Sequence, residues 1–455
     1  MAFRVQAFSL VAGIFLALLY LHFAVLPRGI SGSGFLVDVY AWSSLLWVTP
    51  IVFTAASVVG LLIYRTRSGV DPKLEPIATP VVFRIVSRGF DRATIWKTIE
   101  SVRGSLATHA LFPYWIEVVT DSAAIALPWS DDLRLIAVPR GYRTPHGSLY
   151  KARALHYALG SSTLPDHGWI VHLDEETCVT PSFIVGIRRA VEEEERSGRH
   201  RTGAGIILYH HSLDSHPFMT LAESTRSGDD SGRYQLVQRL GFPIFGLHGS
   251  GILIRNSVEK AIGFDFGPGG SITEDAYLAL FQMERGYRAR WVDGYVVEQA
   301  AFTLSDYLRQ RRRWFVGITK TAMHAPVALR YRAPMLVAML AWALSWASVS
   351  YTYSSLIAGS RAPTLVVLLS DFVLATYVAL SLIGLKLNLD GYGPIPLRRR
   401  VALYVAQLLC TPLFSIMEGA AVFYGLVRPD QKFHVVRKDA SAPPVHTSPM
   451  RSVAE

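Results

Sequence analysis

Five apolar stretches, two before and three after one long polar stretch, constrain this chain more than any other feature. Residues 7–26, 41–64, 334–357, 363–385 and 401–426 are each long enough to cross a bilayer as a helix. The first has too long an apolar core for a secretory signal, lacks a small-residue cleavage site and is followed by a second span, so it is read as a retained helix. The intervening residues, 71–333, must fold in water. With 51% hydrophobic and only 18% charged residues, the chain is a membrane protein carrying a soluble domain.

Charge sets the expected orientation. Arg65 and Arg67 follow the second span, so by the positive-inside rule that end and the N-terminus are cytoplasmic. Arg398, Arg399 and Arg400 mark another cytoplasmic loop. Five full crossings would then put the basic tail outside. Either one C-terminal stretch is re-entrant or interfacial, or the rule fails here; Pro412 and Glu418 make the last stretch the expected irregular one. The net charge of +10 suits anionic lipid and anionic nucleotides. No zinc-finger spacing or RNA-binding signature points to nucleic acid. Two cysteines, Cys178 and Cys410, give no disulfide framework, as expected of a cytosolic domain. Basic residues 309–313 and 330–332 flank Trp314, Phe315, Val316 and Ile318, the pattern of an interfacial helix against membrane lipids. The expected division is two transmembrane helices (1–70), a soluble domain (71–300), interfacial helices (301–333), a C-terminal transmembrane region (334–427) and a cytoplasmic tail (428–455) ending in disorder.

In the soluble stretch, residues 81–86, 115–119 and 133–138 read as strands, and helical patterns lie between them. This alternation predicts a largely parallel sheet with helices on both faces. The segment WIVHLDEET, 169–177, is an apolar strand that breaks into Asp174, Glu175 and Glu176. Open α/β sheets bind ligands at the carboxyl ends of their strands, where these acids would sit. Acid-x-acid oxygens suit Mg²⁺ or Mn²⁺ carrying a diphosphate, and a solvated acidic turn is the alternative. Four further segments join it. Thr273-Glu274-Asp275 opens a helix, where Thr273 is a capping candidate. Gln310 to Trp314 is QRRRW, a catalytic or a membrane-surface patch. Lys151 and Arg153 lie near the start of a helix, for phosphates or for solvent. FGLHGSGILIR, from Phe245 to Arg255, allows close backbone approach to a ligand or a tight turn.

The order Asp174-x-Glu176, Thr273-Glu274-Asp275, Gln310-x-x-Arg313-Trp314, then transmembrane helices, resembles the membrane-embedded family 2 glycosyltransferases, which include cellulose, chitin and hyaluronan synthases. More narrowly, RIVSRG, IEVVTD, VPRGYRTPHGSLYKARAL, WIVHLDEET, FTLSDYLRQRRRW and GLVRPDQKFHVVRKD are similar to the egghead-type β-1,4-mannosyltransferases, over residues 80–439. Those relatives transfer mannose from GDP-mannose to a glucosyl lipid. Thr273 stands where that subgroup usually has Ala, and KFHVVRK resembles the FxVTxK gating segment of cellulose synthases with Val436 in place of Thr.

The resemblance implies an α/β GT-A (Rossmann-like) cytosolic domain set between transmembrane helices, and an inverting, metal-dependent hexosyl transfer. Asp275 is the implied general base and Glu274 orients the acceptor. Glu176 is the first metal ligand for Mn²⁺ or Mg²⁺, with Asp174 on the ribose or assisting the metal. Gln310 and Arg313 hold the diphosphate, Lys151 the phosphates, and Arg84 and Asp121 the base. Trp314, His248, Gly249 and Ser250 line the acceptor side. Implied partners are a nucleotide-sugar donor, a lipid-linked or saccharide acceptor and membrane lipids, with no nucleic acid. The implied place is a cell or internal membrane. A processive UDP-sugar polysaccharide synthase that secretes its product is the alternative enzyme. A transporter with a nucleotide-sensing domain is the non-enzyme alternative, opposed by the lack of a Walker loop and the few charges in the spans.

Overall fold

Runs of Val and Ile without polar alternation build the sheet, because both of its faces are covered. The computed structural model describes residues 2–26, 34–65, 74–107, 111–120, 125–128, 130–359 and 362–429. Asp121, Arg67 and the KFHVVRK segment lie outside the described residues. The strands are β1 (Val81–Ser87), β2 (Tyr114–Thr120), β3 (Leu133–Ala137), β4 (Trp169–Asp174), β5 (Cys178–Val179), β6 (Thr202–Leu208), β7 (Ile252–Arg255) and β8 (Ala289–Val297). They lie in the order β3-β2-β1-β4-β7-β6-β8-β5. Only β3, β2, β1 and β4 form a parallel block. Beyond β4 the sheet is mixed: β7 is antiparallel to β4 and β6 to β7, β8 is parallel to β6, and β5 is antiparallel to β8. The expected largely parallel sheet is therefore half right. The glycine-rich turn before β7 brings the chain in at the carboxyl end of β4, where the Gly251 N–H donates to the His172 carbonyl at 2.8 Å, so β7 runs the other way.

Chain order reverses at β1, with β2 on one side and β4 on the other. The crevice at that switch point, between the carboxyl ends of β1 and β4, is where such sheets bind ligands.

The helices are α1 (Ala2–Tyr20), α2 (Phe35–Trp42) and α3 (Ile51–Ile63) before the sheet. Within it come α4 (Arg92–Ala107), α5 (Tyr150–Ser161), α6 (Pro181–Ser197), α7 (Pro217–Asp229), α8 (Gln235–Arg239), α9 (Asn256–Ile262), α10 (Gly267–Gly270) and α11 (Glu274–Glu284). After it come α12 (Leu304–His324), α13 (Leu329–Ala343), α14 (Ser345–Ala358), α15 (Thr364–Tyr392) and α16 (Leu397–Val427). Ile95, Ile99 and Val102 of α4 join Phe183 and Ile187 of α6 on one face of the sheet. Ala154 and Leu155 of α5, Val258 of α9 and Leu278 of α11 cover the other.

Among the described residues, five helical segments are long and apolar enough to cross a membrane: Phe3–Val25, Phe35–Ile63, Leu329–Ala358, Thr364–Tyr392 and Leu397–Val427. Backbone contact fixes the soluble domain on them. A Cβ at Gly384 of α15 would lie 1.7 Å from the Ser224 carbonyl of α7, and one at Gly60 of α3 would lie 2.0 Å from the Gly232 carbonyl. Small residues let apolar helices approach this closely. The irregularities fall elsewhere than expected. The second segment is interrupted by a 3₁₀ turn at Ser43–Val48, and the third breaks at Leu344. The last is one continuous helix through Pro412, where the Thr411 hydroxyl donates to the Gln407 carbonyl at 2.6 Å.

Both ends of α16 meet the soluble side. At its start Arg399 pairs with Asp214, and Arg400 donates to Asp390 at 3.2 Å. At its end Arg312 and Lys320 of α12 donate to the carbonyls of Arg428 and Pro429 at 2.9 and 3.2 Å. Between them Glu418 accepts from Tyr307 at 2.8 Å and from Arg311 at 3.2 Å. The helix α12 itself starts on Thr303, whose hydroxyl accepts the Asp306 N–H at 3.1 Å.

Arg84 corrects an expectation. It lies in the middle of β1, fully buried, and does not line the crevice. Its guanidinium donates to Glu117 at 2.9 and 3.0 Å and to Glu259 at 3.1 Å. Glu117 also accepts from the Ser162 hydroxyl at 2.6 Å. Side chains alternate along a strand, and the residue at this position points into the core rather than beyond the strand end. Arg84→Met leaves two buried carboxylates without their cation, a loss of about 3–5 kcal/mol. The expected outcome is a large drop in melting temperature of the ligand-free protein; a variant that melts normally and loses only nucleotide binding would restore the base-contact role.

Candidate active site

The site is built where four separate segments reach the β1–β4 crevice. Asp174 ends β4. Its backbone N–H donates to the Ser250 hydroxyl at 3.1 Å, and that hydroxyl meets Thr177 at 2.7 Å. Ser87, ending β1, donates to the Glu175 carboxylate, and Thr98 of α4 donates to the Glu175 carbonyl at 2.7 Å. The acidic turn is thus held from three sides.

Lys151 stands in the first turn of α5, just after Tyr150, whose φ of 52° is left-handed. A non-glycine residue there is uncommon and marks a constrained position. The Lys151 ammonium donates to Asp174 at 2.6 Å and to the Gly249 carbonyl at 2.6 Å, and lies 3.3 Å from Glu274. The ammonium thus bonds two oxygens and pairs with a second carboxylate. Lys151 is therefore a clasp among acids at the cavity wall. Gly249 closes the group. A Cβ there would stand in ordinary contact with Asp275 at 3.5 Å and with Asp174 and Lys151 at 3.6 Å, so the turn backbone lies directly against the carboxylates.

Glu274 and Asp275 open α11. Thr273 does not cap it: its hydroxyl lies 3.1 Å from that of Thr321 on α12, and Asp275 instead accepts the Ala276 N–H at 2.8 Å. A Cβ at Gly317 would lie 2.5 Å from the Thr273 methyl, so α12 is pressed against the start of α11. That contact brings Gln310, Arg313 and Trp314 to the acids.

The electrostatics follow from burial. Burial, then the adjacent Glu274, push the Asp275 carboxyl up to about 7, against the pull of Lys151 and His248. Burial alone would lower Lys151, but Asp174, Glu274 and Asp275 together hold its ammonium above the ordinary lysine value. Arg313 is shifted down by burial, with Glu274, Asp174 and Asp275 opposing.

These residues line one end of a cavity of about 980 Å³ that continues between the membrane helices as far as His22, Trp47 and Asp371. Asp174, Glu176, Glu274, Asp275, Lys151, Gln310, Arg313, Trp314, His248 and Gly249 all line it. The Gln310 amide oxygen is buried there with no hydrogen-bond partner. Ser250 does not line it. It is turned inward against β4, because its hydroxyl is used by Asp174 and Thr177. His248 bonds Asp230 at 2.5 Å and lies 4.7 Å from the Tyr234 ring. The guanidiniums of Arg226 and Arg311 each lie 4.3 Å from the Trp314 ring centroid, so the ring is already in contact with two cations.

Sequence reasoning missed Glu298 and Arg226, both in the cavity lining. Glu298 carries the same signal as Asp174, an acid directly after an apolar strand. Arg226 carries none, since it lies mid-helix in α7. Among the described residues no group of three or more His, Cys, Asp or Glu side chains is arranged to hold a metal ion by itself.

The profile of the family described as Glycosyl transferase family group 2 matches residues 169–383. The β-1,4-mannosyltransferase bre-3 of Caenorhabditis elegans is 33% identical over 389 residues, which cover 84% of each chain. The β-1,4-mannosyltransferase egh of Drosophila melanogaster is 32% identical over 387 residues, covering 84% of this chain and 83% of that one. The solved mannosyltransferase PcManGT from Pyrobaculum calidifontis, in complex with GDP-Man and Mn²⁺, aligns with a TM-score of 0.45 at 13% identity, over 92% of this chain and 98% of that one. The chain belongs to the family 2 glycosyltransferases and, within them, to the group of the bre-3 and egh β-1,4-mannosyltransferases.

Proposed function

We propose that this protein is an inverting glycosyltransferase that moves mannose from GDP-mannose, in β-1,4 linkage, onto a glycolipid or oligosaccharide acceptor. One observation carries the reading. The paired acid sets of β4 and α11 meet at the head of a cavity that runs on between membrane helices, so donor chemistry and a membrane-borne acceptor share one chamber. The names of the relatives supply the sugar and the linkage.

In this mechanism the acceptor hydroxyl attacks the anomeric carbon from the side opposite the leaving diphosphate. Asp275 accepts its proton, which a carboxylate with an affinity near neutrality does well. Glu274, held by Lys151, orients the acceptor. Arg313 and Gln310 hold the departing diphosphate, Arg313 through charge-assisted bonds. The fit to Mn²⁺ or Mg²⁺ rests on the donor set: Glu176 and Asp174 offer hard oxygens, and such ions use one or two carboxylates plus substrate phosphates rather than a full protein cage. When bound, the ion neutralises the diphosphate.

The orientation reading is cytoplasmic for the catalytic domain. It is supported by both ends of α16 meeting the soluble side; with that helix interfacial, four crossings remain. Even parity then keeps the basic tail with the catalytic domain, as the charge rule asks.

GDP and GDP-mannose, with Mn²⁺, should raise the melting temperature more than UDP, UDP-glucose or UDP-N-acetylglucosamine. A ligand at about 100 times its dissociation constant adds roughly 2.7 kcal/mol. Stabilisation by UDP alone would make the processive UDP-sugar synthase the better reading. Asp275→Asn should still bind GDP while transfer falls by about 10²-fold or more. The wild-type rate should climb with pH up to about 7, as Asp275 loses its proton, and level off above it. The variant should lack that limb; an Asn variant near the wild-type rate would remove Asp275 from the chemistry. For orientation, an impermeant thiol reagent on sealed vesicles of known sidedness should label Ser197→Cys from the cytoplasmic side and Ile357→Cys from the other. Labelling of both from one side would refute the topology.

A further inference from the structure

Glu298 is an acid of the cavity wall that the mechanism leaves without a task. It follows β8 directly, and its N–H donates to the Leu208 carbonyl at 2.8 Å, so its backbone is fixed to the sheet. Its carboxyl lines the cavity beside groups from separate segments: Asp174 at the end of β4, Lys151 of α5, Arg226 of α7 and His248 in the turn before β7. No described side chain lies within ion-pair or hydrogen-bond distance of that carboxyl, whereas Asp174 is clasped by Lys151. Burial and the Asp174 charge push it up to about 7, against Arg226, His248 and Lys151.

The surroundings select the ligand. A diphosphate is repelled by a carboxylate. A cation is disfavoured by Arg226, Lys151 and His248 around it. A neutral, hydroxyl-bearing group fits, because the carboxyl oxygens accept from hydroxyls. Arg226 connects Glu298 to Trp314, over whose ring its guanidinium lies at 4.3 Å. Aromatic ring, guanidinium and carboxyl together offer a sugar an apolar surface and hydrogen bonds at its edge. The side is also set. Glu298, Arg226 and Trp314 line the same cavity that continues between the membrane helices, from which a lipid-linked acceptor comes.

We infer that Glu298 is a specificity-determining residue of an acceptor-sugar subsite, binding acceptor hydroxyls beside Arg226 and Trp314. The inference rests on the glycosyltransferase reading above and adds the subsite to it.

The test uses the full chain in lipid nanodiscs and two separate probes. Titration calorimetry follows octyl β-glucoside below its micelle concentration, without donor. Melting with GDP and Mn²⁺ follows the donor side. Glu298→Gln and Glu298→Ala should weaken glucoside binding by at least about tenfold, Ala more than Gln, while GDP stabilises both variants at least as well as wild type. If Ala disturbs folding, the isosteric Gln variant decides. Wild-type glucoside affinity in Glu298→Gln overturns the inference, as does a wild-type protein that binds no glucoside. Loss of Mn²⁺-dependent GDP stabilisation in Glu298→Gln also overturns it, by making Glu298 a donor-side group. If GDP stabilises no form of the protein, the donor reading falls, and the glucoside arm still decides Glu298.

Discussion

The Lys151 ammonium holds the catalytic crevice together. Asp174, Glu274 and Asp275 would repel one another if brought together unneutralised in a half-closed chamber. One buried cation, 2.6 Å from Asp174 and 3.3 Å from Glu274, lets a strand end and a helix start share the space. The Gly249 carbonyl also accepts from it, which locks the turn before β7 to the same point. The arrangement leaves Asp275 as the acid with least compensation. This is why its proton affinity rises toward neutrality, the property a general base needs.

The second constraint is the membrane. The soluble domain is pressed backbone to backbone onto α3 and α15 through Gly60 and Gly384. A rigid seat of this kind keeps the head of the cavity aligned with its extension between the helices. The helix α12 completes the chamber from one side. Its Gly317 rests on Thr273, and its Arg311 pairs with Glu223 of α7 at 2.6 Å and with Glu418 of α16 at 3.2 Å. One helix therefore connects the acids, α7 and the last apolar helix.

Much of this was legible in the chain. The apolar strand ending in Asp174, the helix opening with Glu274 and Asp275, and QRRRW before the C-terminal apolar stretches are local patterns in the sequence. They do converge on one cavity. The errors have a common cause. Arg84 and Ser250 were read as ligand contacts because they lie in segments near strand ends, but whether a side chain faces the crevice or the core depends on pleat and partner. Arg84 found two buried carboxylates, and Ser250 found the backbone of β4. Thr273, a capping candidate in the sequence, instead meets Thr321, a residue of a helix that sequence proximity does not bring near.

The sequence by itself determined the membrane class, the alternation that makes an α/β sheet, the acidic and basic motifs, and their order, because each depends on periodicity or composition within a few residues. Only the tertiary structure decided which acids are clasped and which stay open. It decided the antiparallel entry of β7, the return of both ends of α16 to the soluble side, and the presence of Glu298 and Arg226 in the cavity wall. Those outcomes are set by contacts between residues far apart in the chain. There the cost of burying charge and the close approach of glycine backbones select one arrangement that no local pattern encodes.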